Sequence, residues 1–255
     1  MKKTVAFLLL SFGLYAQQAQ GAQCSPPHHF TVGAKYVHAN VKPSGFPSLS
    51  GNMGGMQAIY EYKPFDFIYA GLELDWFYGK TSGGNDSRKL LNVNVQERFG
   101  YTFTFWNRDL LVTPFTGFGY RHLSHDVNNK DQSSIDLYYN HFYVPVGILS
   151  NYWVTDWMAI GGNVTWKGQV FSSVYTTPLG GAYWKLHKKF KNFLVELPIS
   201  FVVYRPWNLS VIFSPFFEFW QDGATTARSP SGLSLDLPKN SYVLWGAELN
   251  FKATF

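Results

Sequence analysis

The chain has 255 residues, of which 19% are aromatic and only 15% charged; soluble domains usually carry about a quarter charged residues. Such a surface is not built to face water throughout. A membrane-spanning helix in the body of the chain is excluded as well. It needs about 20 apolar residues in a row, and the best internal run, Leu197 to Tyr204, stops at Arg205. The formal charge of +5 falls to +3 once Lys2 and Lys3 are removed with a leader (5 − 2), too little to argue for nucleic acid. In lipid every backbone polar group must be satisfied internally, so a closed barrel is the remaining membrane solution.

Residues 1–21 read as a secretory signal peptide. Lys2 and Lys3 form the charged start, Val5 to Tyr15 the apolar core, and Ala16, Ala19 and Gly21 flank a cut near residue 21 or 22. Residues 22–28 read as a short periplasmic tail. It holds Cys24, the single cysteine, so no intramolecular disulfide forms. The preceding Gly21-Ala22-Gln23 does not look like a lipobox.

From residue 29 to 255 apolar and polar residues alternate, the period of a strand with two unlike faces. Ten segments are long enough to cross a bilayer as tilted strands, which takes about 9–11 residues. In order they are 30–40, 53–63, 67–79, 89–105, 110–122, 139–149, 154–167, 193–204, 209–220 and 242–255. The residues expected to face lipid include Phe30, Val32 and Tyr36 in the first; Leu72, Leu74 and Trp76 in the third; Val195 in the eighth; and Phe213 and Phe217 in the ninth. Short connections are expected at Pro64–Asp66, Asn107–Asp109, Asn151–Trp153 and Arg205–Asn208, and long ones over 41–52, 80–88, 123–138, 168–192 and 221–241. Short periplasmic turns alternating with longer outer loops mark outer-membrane barrels, and an even strand number puts both ends on the periplasmic side. Aromatics gather where headgroup belts lie. Phe30, Tyr62, Trp106, Trp153 and Trp207 fall near one rim, and Trp76, Tyr120 and Trp166 near the other.

The final segment, Tyr242 to Phe255, with Leu249, Phe251 and Phe255 at apolar positions, resembles the terminal β-signal of outer-membrane proteins. Pro114-Phe-Thr-Gly-Phe-Gly-Tyr120 resembles a strand of the small opacity-type barrels. The resemblance covers the mature chain at the level of pattern. It implies an all-β fold: a transmembrane antiparallel up-and-down barrel of about ten strands, with eight or twelve left open. It also implies insertion by the barrel assembly machinery, a bacterial outer-membrane location, contact with lipid and lipopolysaccharide, and a monomer. It specifies no activity. The strand number is similar to that of the omptin proteases and of a ten-stranded adhesin class, yet no Asp-x-His motif occurs and the outer loops hold no close Asp pair. Nothing is seen of a lipid A deacylase arrangement, and no cofactor is expected.

Two features conflict with regular strands. Glu97 lies on the apolar parity of its segment and is expected to mark a bulge or register change. Pro114, Pro145, Pro198 and Pro215 fall inside segments, where each removes a ladder hydrogen bond.

The inward parity carries six basic residues, Lys35, Lys63, Arg98, Arg121, Lys167 and Lys252, and six acidic ones, Glu61, Glu73, Asp75, Glu196, Glu218 and Glu248. Buried charges must be paired and hydrogen-bonded, and a small barrel is nearly filled by its side chains. The expectation is a charge-paired, largely plugged lumen, with Glu73 near Arg98, Lys167 near Glu196 and Lys35 near Glu248. The protein then acts as a structural or surface-interaction, adhesin-like component. A small, weakly selective porin-like channel is the alternative, and an outer-membrane hydrolase the third reading. Ser124-His125-Asp126 holds the three triad residue types, but neighbours in sequence rarely converge in that geometry. His122, His125 and Asp126, or His28 and His29, are weak metal-site candidates. The segment from Tyr183 to Lys191 places Lys185, Lys188, Lys189 and Lys191 among aromatics, a composition suited to lipopolysaccharide phosphates or an acidic host surface. The stretch from Ala224 to Pro238 reads as an outer loop fit for recognition.

Overall fold

The computed structural model describes residues 27–45, 47–84, 86–127, 135–176, 182–225 and 237–255. The expected signal segment, Cys24 and most of the last outer loop lie outside the described residues.

Alternation from end to end yields strands and almost nothing else: β1 (His28–Pro43), β2 (Leu49–Tyr62), β3 (Phe67–Gly83), β4 (Asp86–Phe105), β5 (Leu110–Val127), β6 (Ile135–Thr155), β7 (Met158–Thr176), β8 (Ala182–Lys185), β9 (Asn192–Glu196), β10 (Ile199–Tyr204), β11 (Leu209–Asp222) and β12 (Asn240–Thr254). No helix of the described residues is long and apolar enough to cross a membrane. Neighbours in sequence pair antiparallel, and β1 pairs with β12 from His29↔Thr254 to Pro43↔Asn240, which closes the sheet. β9 and β10 lie in line and each pairs with β7 and β11, so together they form one barrel strand. Among the described residues β8 pairs only with the far end of β7. The result is a closed, ten-stranded, antiparallel transmembrane barrel.

The prolines act through the one ladder that their missing N–H would have served. Pairing of β4 with β5 lapses between Gly100↔Phe115 and Phe103↔Val112, beside Pro114. Pairing of β5 with β6 lapses beside Pro145. Pro198 divides β9 from β10, and the gap opposite Pro215 is bridged by the Leu197 amide, which donates to the Pro215 carbonyl at 3.0 Å. Glu97, by contrast, causes no irregularity: Leu72↔Glu97 and Glu97↔Phe118 are in plain register, and its side chain is exposed on the outer face. The expected bulge is absent because an outward carboxylate disturbs solvation and leaves the ladder intact.

Two further expectations are corrected. Asn151–Trp153 is not a turn; β6 runs on to Thr155, and Asp156-Trp157 makes the connection. Among the described residues, much of the first four long outer connections is strand. β1 extends to Pro43, β3 to Gly83, β5 to Val127 and β7 to Thr176. The reason is a change of polarity along the strands. Near the short turns the outer face is apolar: Phe30, Ile68, Leu72, Leu74, Phe99, Phe213, Leu249 and Phe251 are exposed while Lys35, Glu73, Asp75, Arg98 and Glu248 are buried. Beyond Trp76, Tyr78 and Trp245 the pattern reverses. Lys42, Ser50, Asn52, Lys80 and Lys89 face out, while Val37, Val41, Leu49, Met53, Phe77, Leu90 and Leu123 face in. The lower part is sided for lipid; the upper part is sided for water and carries its own apolar core. Strand period survives the reversal, so the strands continue where sequence reading places loops.

Candidate functional site

The lumen is layered. At the end of the short turns a vestibule of about 180 Å³ is lined by His29, Glu61, Lys63, Arg98, Glu196, Ser200, Asn250 and Lys252 among others. Glu61 accepts from the Tyr69 hydroxyl at 2.7 Å, and Glu196 from the Asn163 amide at 3.3 Å.

Above it lies a belt of ion pairs. Lys35 Nζ reaches Asp75 at 3.0 Å and Glu248 at 2.9 Å. Arg98 pairs with Glu73. Glu218 takes two cations, Arg121 at 3.0 Å and Lys167 at 2.7 Å. Neutral groups fill the remaining valences: Arg121 Nε donates to Asn92 at 2.6 Å, and the Tyr143 hydroxyl to Asn94 at 2.7 Å. Lys35 also sits 4.5 Å from the ring centre of Phe216, and the Arg121 guanidinium 4.5 Å from that of Trp220. These side chains leave strands on all sides of the ring and meet in the middle, so the belt crosses the bore. The expected Lys167–Glu196 pair does not form. Register sets Glu196 opposite Asn163 and Lys167 opposite Asn192, so Lys167 turns to Glu218 on β11 instead.

The third layer is apolar. Leu49, Phe77, Leu90, Leu123, Leu244 and Trp220 are buried inside the barrel, and Trp184 and Leu186 from the β8 segment are buried with them. A polar chain threads this layer. Asp222 accepts from Trp220 Nε1 at 2.9 Å and faces His141 Nε2 at 2.9 Å; His141 Nδ1 meets Ser172 Oγ at 3.0 Å. His125 Nε2 meets the Tyr242 hydroxyl at 2.8 Å. Ser172, His141 and Asp222 thus have the connectivity of a nucleophile, base and orienter. All three are buried, and Ser172 Oγ also donates to Gln169 at 3.2 Å, so no substrate atom reaches them. Sequence reading missed Asp222, His141 and the amides Asn92 and Asn94. Their only sequence signal is inward parity, which apolar residues share.

Other candidates separate. Ser124 is half-buried and His125 buried, on alternating strand positions; that alternation sends them to opposite faces. His122 bonds Asn140 at 2.9 Å and lies on the outer parity with Ser124. His28 bonds Tyr60 at 2.7 Å and His29 bonds Thr254 at 2.9 Å, again on alternating positions. No group of three metal-ligating side chains occurs among the described residues. Leu249, Phe251 and Phe255 all face out, and the last hydrogen-bonds across the seam: Phe255 N donates to His28 O at 2.9 Å, and His28 N to Phe255 O at 3.1 Å.

At the outer rim the β8 segment folds back on the barrel. The Leu186 amide donates to Ser172 O at 3.0 Å and the His187 amide to Ala224 O at 2.9 Å. Trp184 and Leu186 point in, while Lys185, Lys188 and Lys191 are exposed and Lys189 is half-buried. Phe190 is exposed, and its carbonyl accepts from Trp166 Nε1 at 2.5 Å. Lysines and apolar rings therefore share one stretch of rim.

No family model matches the chain, and no curated protein matches it. Solved structures do. The outer membrane protease OmpT from Escherichia coli is similar over 92% of this chain and 99% of its own, with a TM-score of 0.62 and 10% identity. The translocator domain of the autotransporter NalP from Neisseria meningitidis is similar over 98% of this chain and 94% of its own, with a TM-score of 0.50 and 10% identity. At such identity the likeness is one of fold. By closure, strand number and sidedness, then, this chain has the fold of the small bacterial outer-membrane β-barrels.

Proposed function

We propose that the protein is a monomeric, non-conducting barrel of the bacterial outer membrane, exported by cleavage near residue 21 or 22, with its short turns in the periplasm. In this reading it serves as a structural and surface-interaction component. The observation that carries this reading is the double closure of the bore. An ion-paired belt lies across it, and an apolar layer holding Trp184 and Trp220 lies above. Either layer alone opposes ion flow, the first by bulk and opposed charges, the second by excluding water. Purified protein in a planar bilayer is expected to show no unitary conductance; steady ohmic steps from the wild type would overturn the reading.

The surface contact is assigned to the rim segment with Lys185, Lys188, Lys189 and Lys191. Cations beside exposed Phe190 suit a lipid whose headgroup carries phosphates and whose chains begin at the same level. A Lys188→Gln/Lys189→Gln/Lys191→Gln variant is expected to lose retention on immobilised lipopolysaccharide. Unchanged retention would remove this assignment and leave the closed barrel standing.

A further inference from the structure

One stretch of the wall holds more chain than its neighbours. On β7, residues 168–171 lie between the pair Lys167↔Asn192 and Ser172, whose carbonyl accepts from the Leu186 amide; they face 187–191, four residues against five. On the other side, residues 220–224 lie between Phe219↔Phe193 and Leu186↔Thr225; they face 187–192, five against six. The segment carries one surplus residue against both partners, so it cannot lie flat and bows out of the ladder. Buried side chains take the place of the missing backbone bonds. Gln169 accepts from the Lys189 amide at 2.7 Å and donates from Nε2 to Gln221 O at 2.8 Å, spanning β7 to β11. Asn192 accepts from the Gln221 amide at 2.9 Å. On the outside the Phe190 carbonyl is tied to Trp166 Nε1. The bow is thus held at both flanks, and what it presents is amphipathic. Residues 185–191 contain four lysines and no acid. Lys188 and Lys191 are exposed on the bow, and Phe190 between them is 57% exposed. Trp166 and Phe193, paired across β7 and β9 next to it, are exposed on the lipid-facing wall.

We infer that the bow is a clasp for a phosphorylated, acylated lipid of the outer leaflet, its phosphate seated at Lys188 and Lys191 and its first acyl segment on Phe190 and Phe193. This rests on the outer-membrane reading above and adds that backbone geometry, not charge alone, makes the site. Bulges re-aim side chains, and this one sets cations at the edge of an aromatic wall. Ammonium groups donate to phosphate oxygens, and acyl chain laid against the rings removes apolar surface from water. A soluble polyanion satisfies only the first; a lipid in the leaflet satisfies both, because the bow continues into the lipid-facing wall. Gln169 and Asn192 are positioning residues for this site.

The test is native mass spectrometry of the full-length barrel in detergent, titrated with diphosphorylated lipid A, with its dephosphorylated form, and with lipid A in competition with heparin. Lipid A is expected to form an adduct, its dephosphorylated form to bind much more weakly, and heparin not to displace it. Deletion of His187 keeps all four lysines and Phe190 but brings the segment to the residue count of its partners. Gln169→Leu keeps the count and removes the latch, and it carries the test if the deletion does not fold. Each is expected to bind lipid A about tenfold more weakly, equal to about 1.4 kcal/mol. In Gln169→Leu the Lys189 amide is expected to exchange hydrogen faster while β1–β4 stay protected, a local change that lost global stability does not produce. Wild-type affinity in either folded variant would overturn the inference and leave the lysine assignment standing. Displacement by heparin would give the site to soluble polyanions and overturn it as well. Absence of lipid A binding by the wild type would remove both.

Discussion

Lys35 shows how a single residue supports the bore. Its ammonium joins two carboxylates from β3 and β12 in a buried setting. Lys35→Met strands Asp75 and Glu248 as neighbouring unpaired anions. Breaking a buried pair costs about 3–5 kcal/mol, whereas replacing all its partners by apolar groups is often neutral. Lys35→Met is therefore expected to lower the denaturant midpoint sharply, and the triple variant with Asp75→Leu and Glu248→Leu to recover most of it. Glu97 is the opposite case. It stands outside, flanked along β4 by Val95 and Phe99 and across the ladders by Leu72 and Phe118. A charge on the lipid face is unfavourable, less for Glu than for Lys. Glu97→Leu is expected to stabilise the barrel in phospholipid by roughly 1–2 kcal/mol, read as a later unfolding midpoint in vesicles. An unchanged midpoint would place Glu97 outside the apolar belt.

In the β2–β3 turn Asp66 takes a positive φ of 47°, which Asp tolerates better than most residues. Its carboxylate accepts from the Thr104 amide at 2.9 Å and from the Thr104 hydroxyl, tying the turn to β4. The Thr104 hydroxyl and amide hold the Asp66 pKa below its ordinary 3.8. A depressed folded value means that the contribution is complete above the ordinary pKa and lost as pH falls through the lower one. Thr104 amide protection is thus expected to persist at mild acidity and fall only in strong acid; in Asp66→Asn that acid step disappears. In the sequence the strand formed by β9 and β10 is one segment, 193–204, because alternation continues across Pro198. The break is a matter of the missing N–H, and only the neighbouring strand reveals which ladder loses it. The outer connections were misread for a related reason. In the upper strands the apolar residues lie on the inner face, as Val37, Val41, Leu49, Met53 and Leu123 do, so the lipid-facing parity fades where the pattern inverts.

At the scale of the whole molecule the proposed closure of the bore rests on two stacked layers, the ion belt and the apolar layer above it. Trp184 is delivered by β8 into the apolar layer and is buried. Trp184→Ala is expected to cost about 3–5 kcal/mol of stability, measured by guanidinium unfolding. It is also expected to remain silent in a planar bilayer, because the ion belt below is untouched. Conductance in that variant would show that the belt alone does not seal the bore. The sequence by itself determined the strand period, the ten spans, the lipid-facing set and the inward parity of the charges, since each depends on residues two apart in one strand. Partnership was decided only by tertiary structure. Glu218, not Glu196, holds Lys167, and Asp222 meets His141, because closure and register bring together side chains distant in sequence. Parity tells a side chain which way to point; only the closed ring tells it whom it meets.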